Sequence, residues 1–195
     1  MNCPDFFTLS SPHTMTLRSF LAFLMNPGHQ PRKALLLLAV LPTCLLGFGL
    51  YLQHIVGLEP CPMCIVQRYA MCLMVLLGLA FGWSRSVWLQ GAGFLAYSAL
   101  SGLGAYVAAL QSWLQWHPPE VVSCGRDFYG MIEAFPLKQA IPMIFKGGGD
   151  CANVDWTLLG LSIANWSFLA FVGLGLSALW VLYDARRVRL NPPMV

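Results

Sequence analysis

Polar and apolar residues are segregated along this chain into long blocks. Four apolar stretches, residues 34–53, 65–83, 87–110 and 163–183, are separated by short polar or mixed segments. Each is long enough to cross about 30 Å of hydrocarbon at 1.5 Å per residue. A backbone in lipid must satisfy its own hydrogen bonds, so each stretch is predicted to be a helix. The third contains Gly91, Gly93, Ser98, Ser101, Gly102, Gly104 and Ala105, and the fourth Gly173, Gly175 and Ser177. Small residues let helices approach closely, which predicts an all-α membrane protein built as a compact four-helix bundle. Pro42 interrupts the first stretch, a break that neighbouring helices can accommodate. A further apolar run, residues 16–25, is too short to span and is stopped by Asn26-Pro27-Gly28, so it is expected to lie along the inner membrane surface. No basic segment leads into a long apolar core, which argues against a cleavable signal sequence and leaves Met15 as a second candidate start.

Composition sharpens this picture. The 195 residues are 57% hydrophobic and only 10% charged, against about 25% charged in soluble domains. Nothing in this balance favours nucleic acid as a partner. The positive charges then set an orientation. Arg18, Arg32, Lys33, Arg85, Arg186, Arg187 and Arg189, seven of the 11 Lys and Arg residues, fall in the arm, the second turn and the tail, which share one side. That side is expected to be cytoplasmic, with both termini inside. The expected division is a cytoplasmic arm over residues 1–33, a transmembrane domain over 34–183 and a cytoplasmic tail over 184–195, with outer loops 54–64 and 111–162.

Four of the seven cysteines, Cys61, Cys64, Cys124 and Cys151, lie in or at the edge of the outer loops, where disulfides persist. Cys44 and Cys72 fall within spans and read as small buried hydrophobes, while Cys3 is cytoplasmic. His54 closes the first span and reads as an interfacial side chain. The longer outer loop, rich in Pro and Gly, needs a staple to hold a structure, and Cys124 with Cys151 are candidates for it. Residues 135–145 are expected to form a short helix on the membrane surface, and Gly147-Gly148-Gly149 a joint just before Cys151. A cysteine on a hinge can change partners.

The chemistry concentrates at Cys61-Pro62-Met63-Cys64-Ile65-Val66-Gln67-Arg68. A helix beginning near Cys64 would put Arg68 one turn beyond its sulfur on the same face. A cation and a helix N-terminus favour the thiolate, the form that acts as nucleophile and electron donor. Taken alone, C-x-x-C also fits half of a metal site or a structural cross-link. An arginine within a span costs about 2.5–3.5 kcal/mol on insertion scales, so a polar or anionic ligand at this depth, bound by Gln67 and Arg68, is the sharper reading. Two cysteine pairs on one membrane face then describe a relay of thiol–disulfide exchanges whose electrons must leave the thiols. Within a bilayer the available two-electron acceptor is a quinone.

Leu52-Gln53-His54, Pro60-Cys61-Pro62-Met63-Cys64 with Arg68, Cys124 before Asp127-Phe128, and Gly149-Asp150-Cys151-Ala152 leading to Trp156 and Leu159-Gly160-Leu161 together resemble the DsbB family of disulfide-bond formation proteins. The resemblance runs from about Leu17 to the fourth span. It implies a bacterial inner-membrane thiol:quinone oxidoreductase that reoxidises a periplasmic DsbA-like partner and passes electrons to ubiquinone or menaquinone. By the same resemblance, Cys124 pairs with Cys151 and is attacked by the partner, Cys151 then attacks Cys61, and Cys64, held by Arg68, donates to the quinone. Trp156 resembles the family's aromatic near this junction. At Gln111 the chain departs from members that carry a histidine near the quinone. An amide can donate a hydrogen bond to a quinone oxygen but cannot take up a proton at neutral pH. The arm with Cys3 has no counterpart in the resemblance. Two other readings stand beside it: a DsbB paralogue or vitamin K epoxide reductase homologue with a dedicated partner, and a membrane metal-binding or scaffold module with inert disulfides. The order of the cysteines, with C-x-x-C before the second span, favours the DsbB pattern over the epoxide reductase one.

Overall fold

The structure, a computed structural model, describes residues 30–118, 149–152, 154 and 156–190. Four long helices carry the fold: α1 (Pro31–His54), α2 (Pro62–Trp83), α3 (Val87–Trp116) and α5 (Ile163–Leu190). Between α3 and α5 lie a single helical turn, α4 (Gly149–Ala152), and a minimal hairpin of β1 (Thr157–Leu158) and β2 (Leu161–Ser162). All four long helices are long and apolar enough to cross a membrane, so the chain is a multi-pass, mostly helical membrane protein, as the block pattern predicts. The expected surface helix over residues 135–145, the arm and Cys3, and the Cys124 region lie outside the described residues.

The helix starts follow local chemistry. Pro31 and Pro62 occupy the first turns of α1 and α2, where a missing N–H costs nothing. Cys61 is the N-cap of α2, and its sulfur accepts a hydrogen bond from the backbone N–H of Cys64 at 3.3 Å. Helix α2 therefore begins at Pro62, earlier than the expected start near Cys64, because Pro62 is pre-set for a helical first turn. Two helices also run past their expected ends: α3 to Trp116 and α5 to Leu190. The hairpin pairs Thr157 with Ser162 and Leu158 with Leu161, and its turn residues Leu159 and Gly160 both have positive φ, as a two-residue primed turn requires.

Helices adjacent in sequence pack side by side, and α3 against α5 forms the most extensive interface, whereas α1 and α5 meet only sparsely. Buried Tyr97, Phe94, Phe171, Met74 and Leu35 fill the centre. The close approach of α3 to its neighbours depends on two glycines: a Cβ on Gly104 would lie 2.4 Å from the Phe171 ring, and one on Gly93 2.6 Å from Phe81. Gly102 and Gly173, read from sequence as packing residues, instead face open space. Pro42 gives α1 no N–H to offer the carbonyl of Leu38. The buried Tyr97 hydroxyl of α3 donates to that carbonyl at 2.7 Å. This is how a neighbouring helix accommodates the break.

One further expectation is corrected. Cys44 and Cys72 are exposed on the outside of the bundle rather than buried in it. In lipid, a small apolar side chain is at home on either face, so hydropathy does not fix which way it points.

Candidate active site

At one end of the bundle three cysteine sulfurs come together. The Sγ atoms of Cys61 and Cys64 are 2.8 Å apart across the first turn of α2. Cys151, on α4, is fully buried and packs with Met63 and Val107 against Cys61, Val66, Leu110 and Leu114. A hydrogen bond between Cys151 and Cys61 is the main cause holding the Cys61 thiol well above the ordinary cysteine range. The hydrogen bond to Cys64, burial and the two neighbouring sulfurs push the same way. A reduced Cys61 therefore holds its proton more tightly than an ordinary thiol, with Cys151 packed against it.

Two glutamines line the other side of the pair. Gln111 of α3 is 3% exposed, and its Nε2 donates to Cys64 Sγ at 3.2 Å and to Cys61 Sγ at 3.3 Å. Its Oε1 accepts from Nε2 of Gln67, 4% exposed, at 2.8 Å. The same Oε1 also accepts from Cys64 Sγ at 3.7 Å, so both ends of the Gln111 amide meet the thiol pair. Arg68, one turn beyond Cys64, reaches across to α1, where its Nη1 donates to Gln53 Oε1 and its Nη2 to the carbonyl of Gly49 at 3.0 Å. A guanidinium at the membrane boundary needs such acceptors. The guanidinium lies against the α1 backbone here: a Cβ on Gly49 would stand 3.5 Å from Arg68 Nε, in ordinary contact.

These residues border a cavity of about 710 Å³ that lies between α1 and α5, along the seam where those two helices pack sparsely. Leu45, Leu46, Phe48 and Leu52 of α1 and Ile163, Trp166 and Ala170 of α5 form apolar walls, while Cys64, Gln67, Arg68 and Gln111 form a polar end. Trp156 stands at the rim, edge-on to Phe48 at 5.9 Å between ring centroids. Glu59 also borders the cavity and is exposed. Apolar walls with a small set of convergent polar groups suit a flat, apolar ring carrying hydrogen-bond acceptors.

The structure thus brings together Cys61, Cys64, Cys151, Gln67, Arg68, Gln111 and Trp156; Cys124 lies outside the described residues. His54 is exposed at the end of α1. Sequence reasoning assigned no role to Gln53, Gly49, Gln115, Ser162 or Trp166, which also shape the site. Ser162 donates to Gln115 Oε1 at 2.6 Å, and Trp166 Nε1 donates to the carbonyl of Leu158 at 3.1 Å, pinning the hairpin to α5. The one available signal was Gln53, an amide closing an otherwise apolar span.

A four-helix membrane protein with three thiols at one end of its bundle, beside an apolar cavity, has the parts that thiol–disulfide exchange needs. The family model described as "Disulfide bond formation protein DsbB" matches residues 31–181. A disulfide bond formation protein B of Polaromonas sp. is 62% identical over 169 residues, covering 86% of this chain and 99% of the relative. Proteins of the same description from Polaromonas naphthalenivorans and Albidiferax ferrireducens are 61% and 58% identical, over 85% and 78% of this chain and 99% and 89% of theirs. The chain belongs to the DsbB family of disulfide-forming membrane oxidoreductases.

Proposed function

We propose that this protein is a protein-dithiol:quinone oxidoreductase of a bacterial inner membrane, which reoxidises a periplasmic DsbA-like thiol oxidase and delivers the electrons to ubiquinone or menaquinone. The observation that carries the reading is the placement of Cys64 in the polar end of an apolar cavity while Cys151 packs on Cys61. In the oxidised resting state Cys61 is bonded to Cys64 and Cys124 to Cys151. A thiolate of the partner attacks the Cys124–Cys151 bond and releases Cys151. Cys151 then attacks Cys61 Sγ: the Cys61–Cys151 bond forms, the Cys61–Cys64 bond breaks, and the electron pair stays on Cys64. When bound, the quinone supplies a two-electron, two-proton acceptor.

The chain's residues do the rest. The Gln111 amide donates to Cys64 Sγ and keeps it turned to the polar end. Arg68, fixed by Gln53 and Gly49, presents a cation in the same wall, able to bind a quinone oxygen. Trp156 and Phe48 cover the rim. The second partner thiolate resolves its own mixed disulfide with Cys124, and Cys124 then attacks Cys151, releasing Cys61 to re-form its bond with Cys64. Two protein thiols are oxidised per acceptor reduced, and the two protons that the dithiol gives up match the two that the acceptor takes. The orientation that agrees with the positive charges puts both termini in the cytoplasm and the cysteines in the periplasm.

The test is reconstitution. Purified protein in lipid, given a reduced DsbA-like protein and a short-chain ubiquinone or menaquinone, should consume one quinone per disulfide formed, and the Cys64→Ser variant should not turn over. Full turnover by that variant would refute the assignment.

A further inference from the structure

The opposite end of the bundle carries a second cavity, of about 510 Å³, remote from every cysteine of the described active site. It is bounded by the start of α3 and the end of α5, with Pro31 of α1 at its edge. Its wall is apolar, running from Val87 and Trp88 along α3 to Phe94 and Leu95, with Leu182 and Ala185 opposite. From Val87 to Leu95 that wall extends roughly 12 Å at 1.5 Å per residue. Its mouth is cationic, because Arg186 and Arg189 of α5 border it and are exposed. Those two arginines are three residues apart and so share one face of the helix, whereas Arg187 is turned away and does not border the cavity.

Two other polar side chains at this end are engaged elsewhere. Arg32 is directed at the C-terminus of α2, donating to the carbonyls of Gly82 at 3.4 Å and Trp83 at 3.5 Å. Gln90, which also borders the cavity, spends its amide nitrogen on the carbonyl of Ser84 at 2.8 Å. Trp88, 90% exposed, borders the same cavity as the arginines, and tryptophan is a residue type enriched at membrane interfaces.

We propose that this groove binds one anionic phospholipid, its phosphate on Arg186 and Arg189 and one acyl chain laid along the Val87–Leu95 wall. Charge complementarity selects an anion, and the depth of the apolar wall selects an anion that carries a chain. A soluble phosphate would leave the wall unused, and a zwitterionic lipid would bring its own cation to the arginines. Basic pockets between helices at the cytoplasmic surface recognise anionic headgroups in this way. The lipid would tie the free end of α5 to α3 at the end of the bundle opposite the cysteines, so this site is independent of the proposed redox function.

Native mass spectrometry of the full chain in a neutral detergent tests the site, with phosphatidylglycerol and phosphatidylcholine as probes. The native chain should retain one phosphatidylglycerol in preference to phosphatidylcholine. The paired variant Arg186→Gln/Arg189→Gln should bind it roughly thirtyfold more weakly, while Arg187→Gln should bind as the native chain does. The charge-preserving pair Arg186→Lys/Arg189→Lys should keep most of the affinity, which separates loss of charge from loss of fold. Excess inorganic phosphate should not displace the lipid. Equal retention of both lipids, an equal loss in Arg187→Gln, or displacement by phosphate alone would each overturn the proposal. So would the lack of any adduct on the native chain, the result expected if another segment of the protein fills the groove.

Discussion

The side-chain nitrogen of Gln67 donates to Oε1 of Gln111 at 2.8 Å, while Nε2 of Gln111 donates to the sulfurs of Cys61 and Cys64 at 3.3 and 3.2 Å. Both side chains are buried, so neither amide turns freely into water. The pair works as a unit, with Gln67 bonded to Gln111 and Gln111 delivering the N–H.

That arrangement predicts a coupled effect. Gln111→Leu should slow electron delivery from Cys64 by about tenfold, the scale of one buried hydrogen bond to sulfur, with the fold retained. Gln67→Leu should slow it less. In this electron-delivery step the double variant should be little worse than Gln111→Leu, since Gln67 reaches the sulfurs through Gln111, whereas its own place on the cavity wall bears on quinone binding. Single-turnover rates with pre-reduced protein and excess quinone would measure all three, and strictly additive losses would show that the two glutamines act separately.

Much of this architecture was legible in the sequence, for physical reasons that also explain what was not. Runs such as residues 34–53 are apolar for their whole length, and in lipid only a helix resolves that run. The ends of α3 and α5 were missed because Gln111, Ser112 and Gln115, and Asp184 with Arg186, dilute the hydropathy where the helix leaves the hydrocarbon; the backbone still gains by continuing its hydrogen bonds. Cys44 and Cys72 misled for the opposite reason, as lipid and bundle interior are equally apolar. At the site, the four-residue interval from Cys64 to Arg68 carried over directly, because both lie on one helix and border one cavity. The acceptors of Arg68 did not, since Gln53 and Gly49 belong to another helix.

Those acceptors yield a second prediction. Arg68→Gln should raise KM for quinone by tenfold or more with the fold retained. Gln53→Leu should raise it by a smaller factor, since the guanidinium keeps Gly49 but loses its other anchor. Steady-state kinetics over a range of quinone concentrations would separate KM from kcat. A Gln53→Leu variant with unchanged KM would mean that Arg68 needs no positioning from α1.

The contact of Cys151 with Cys61 yields a third. In the Cys64→Ser variant, Cys61 has lost its disulfide partner while Cys151 still packs on it, so once a partner with a single reactive cysteine holds Cys124 in a mixed disulfide and frees Cys151, a mild oxidant should join Cys61 to Cys151. Peptide mapping under non-reducing conditions would detect it, and a Cys61–Cys124 bond in its place would contradict the proposed order of exchanges.

The raised Cys61 thiol gives a pH dependence of definite sign. A folded state that holds the proton more tightly than the unfolded chain is stabilised below the ordinary thiol pKa, about 8.5, and loses that stabilisation as pH rises above it. The fully reduced protein should therefore melt at lower temperature at pH 10 than at pH 8, and Cys61 should alkylate more slowly at pH 8 than a free cysteine. A Cys61→Ser variant should lack this part of the pH dependence.

The last prediction concerns the Pro42 break. Proline removes the N–H that would have bonded the carbonyl of Leu38, and in hydrocarbon no water replaces it. The Tyr97 hydroxyl fills that vacancy from α3. Tyr97→Phe keeps the ring that packs the core and removes only the donor, so it should destabilise the bundle by about 1 kcal/mol, the scale of interhelical hydrogen bonds in membranes. Pro42→Ala restores an N–H to α1, so the same Tyr97→Phe change made in that background should cost clearly less. Unfolding of the native chain and these three variants in mixed micelles would complete the cycle. A coupling near zero would mean that the hydroxyl and the proline are independent, and that α1 tolerates its break through some other group.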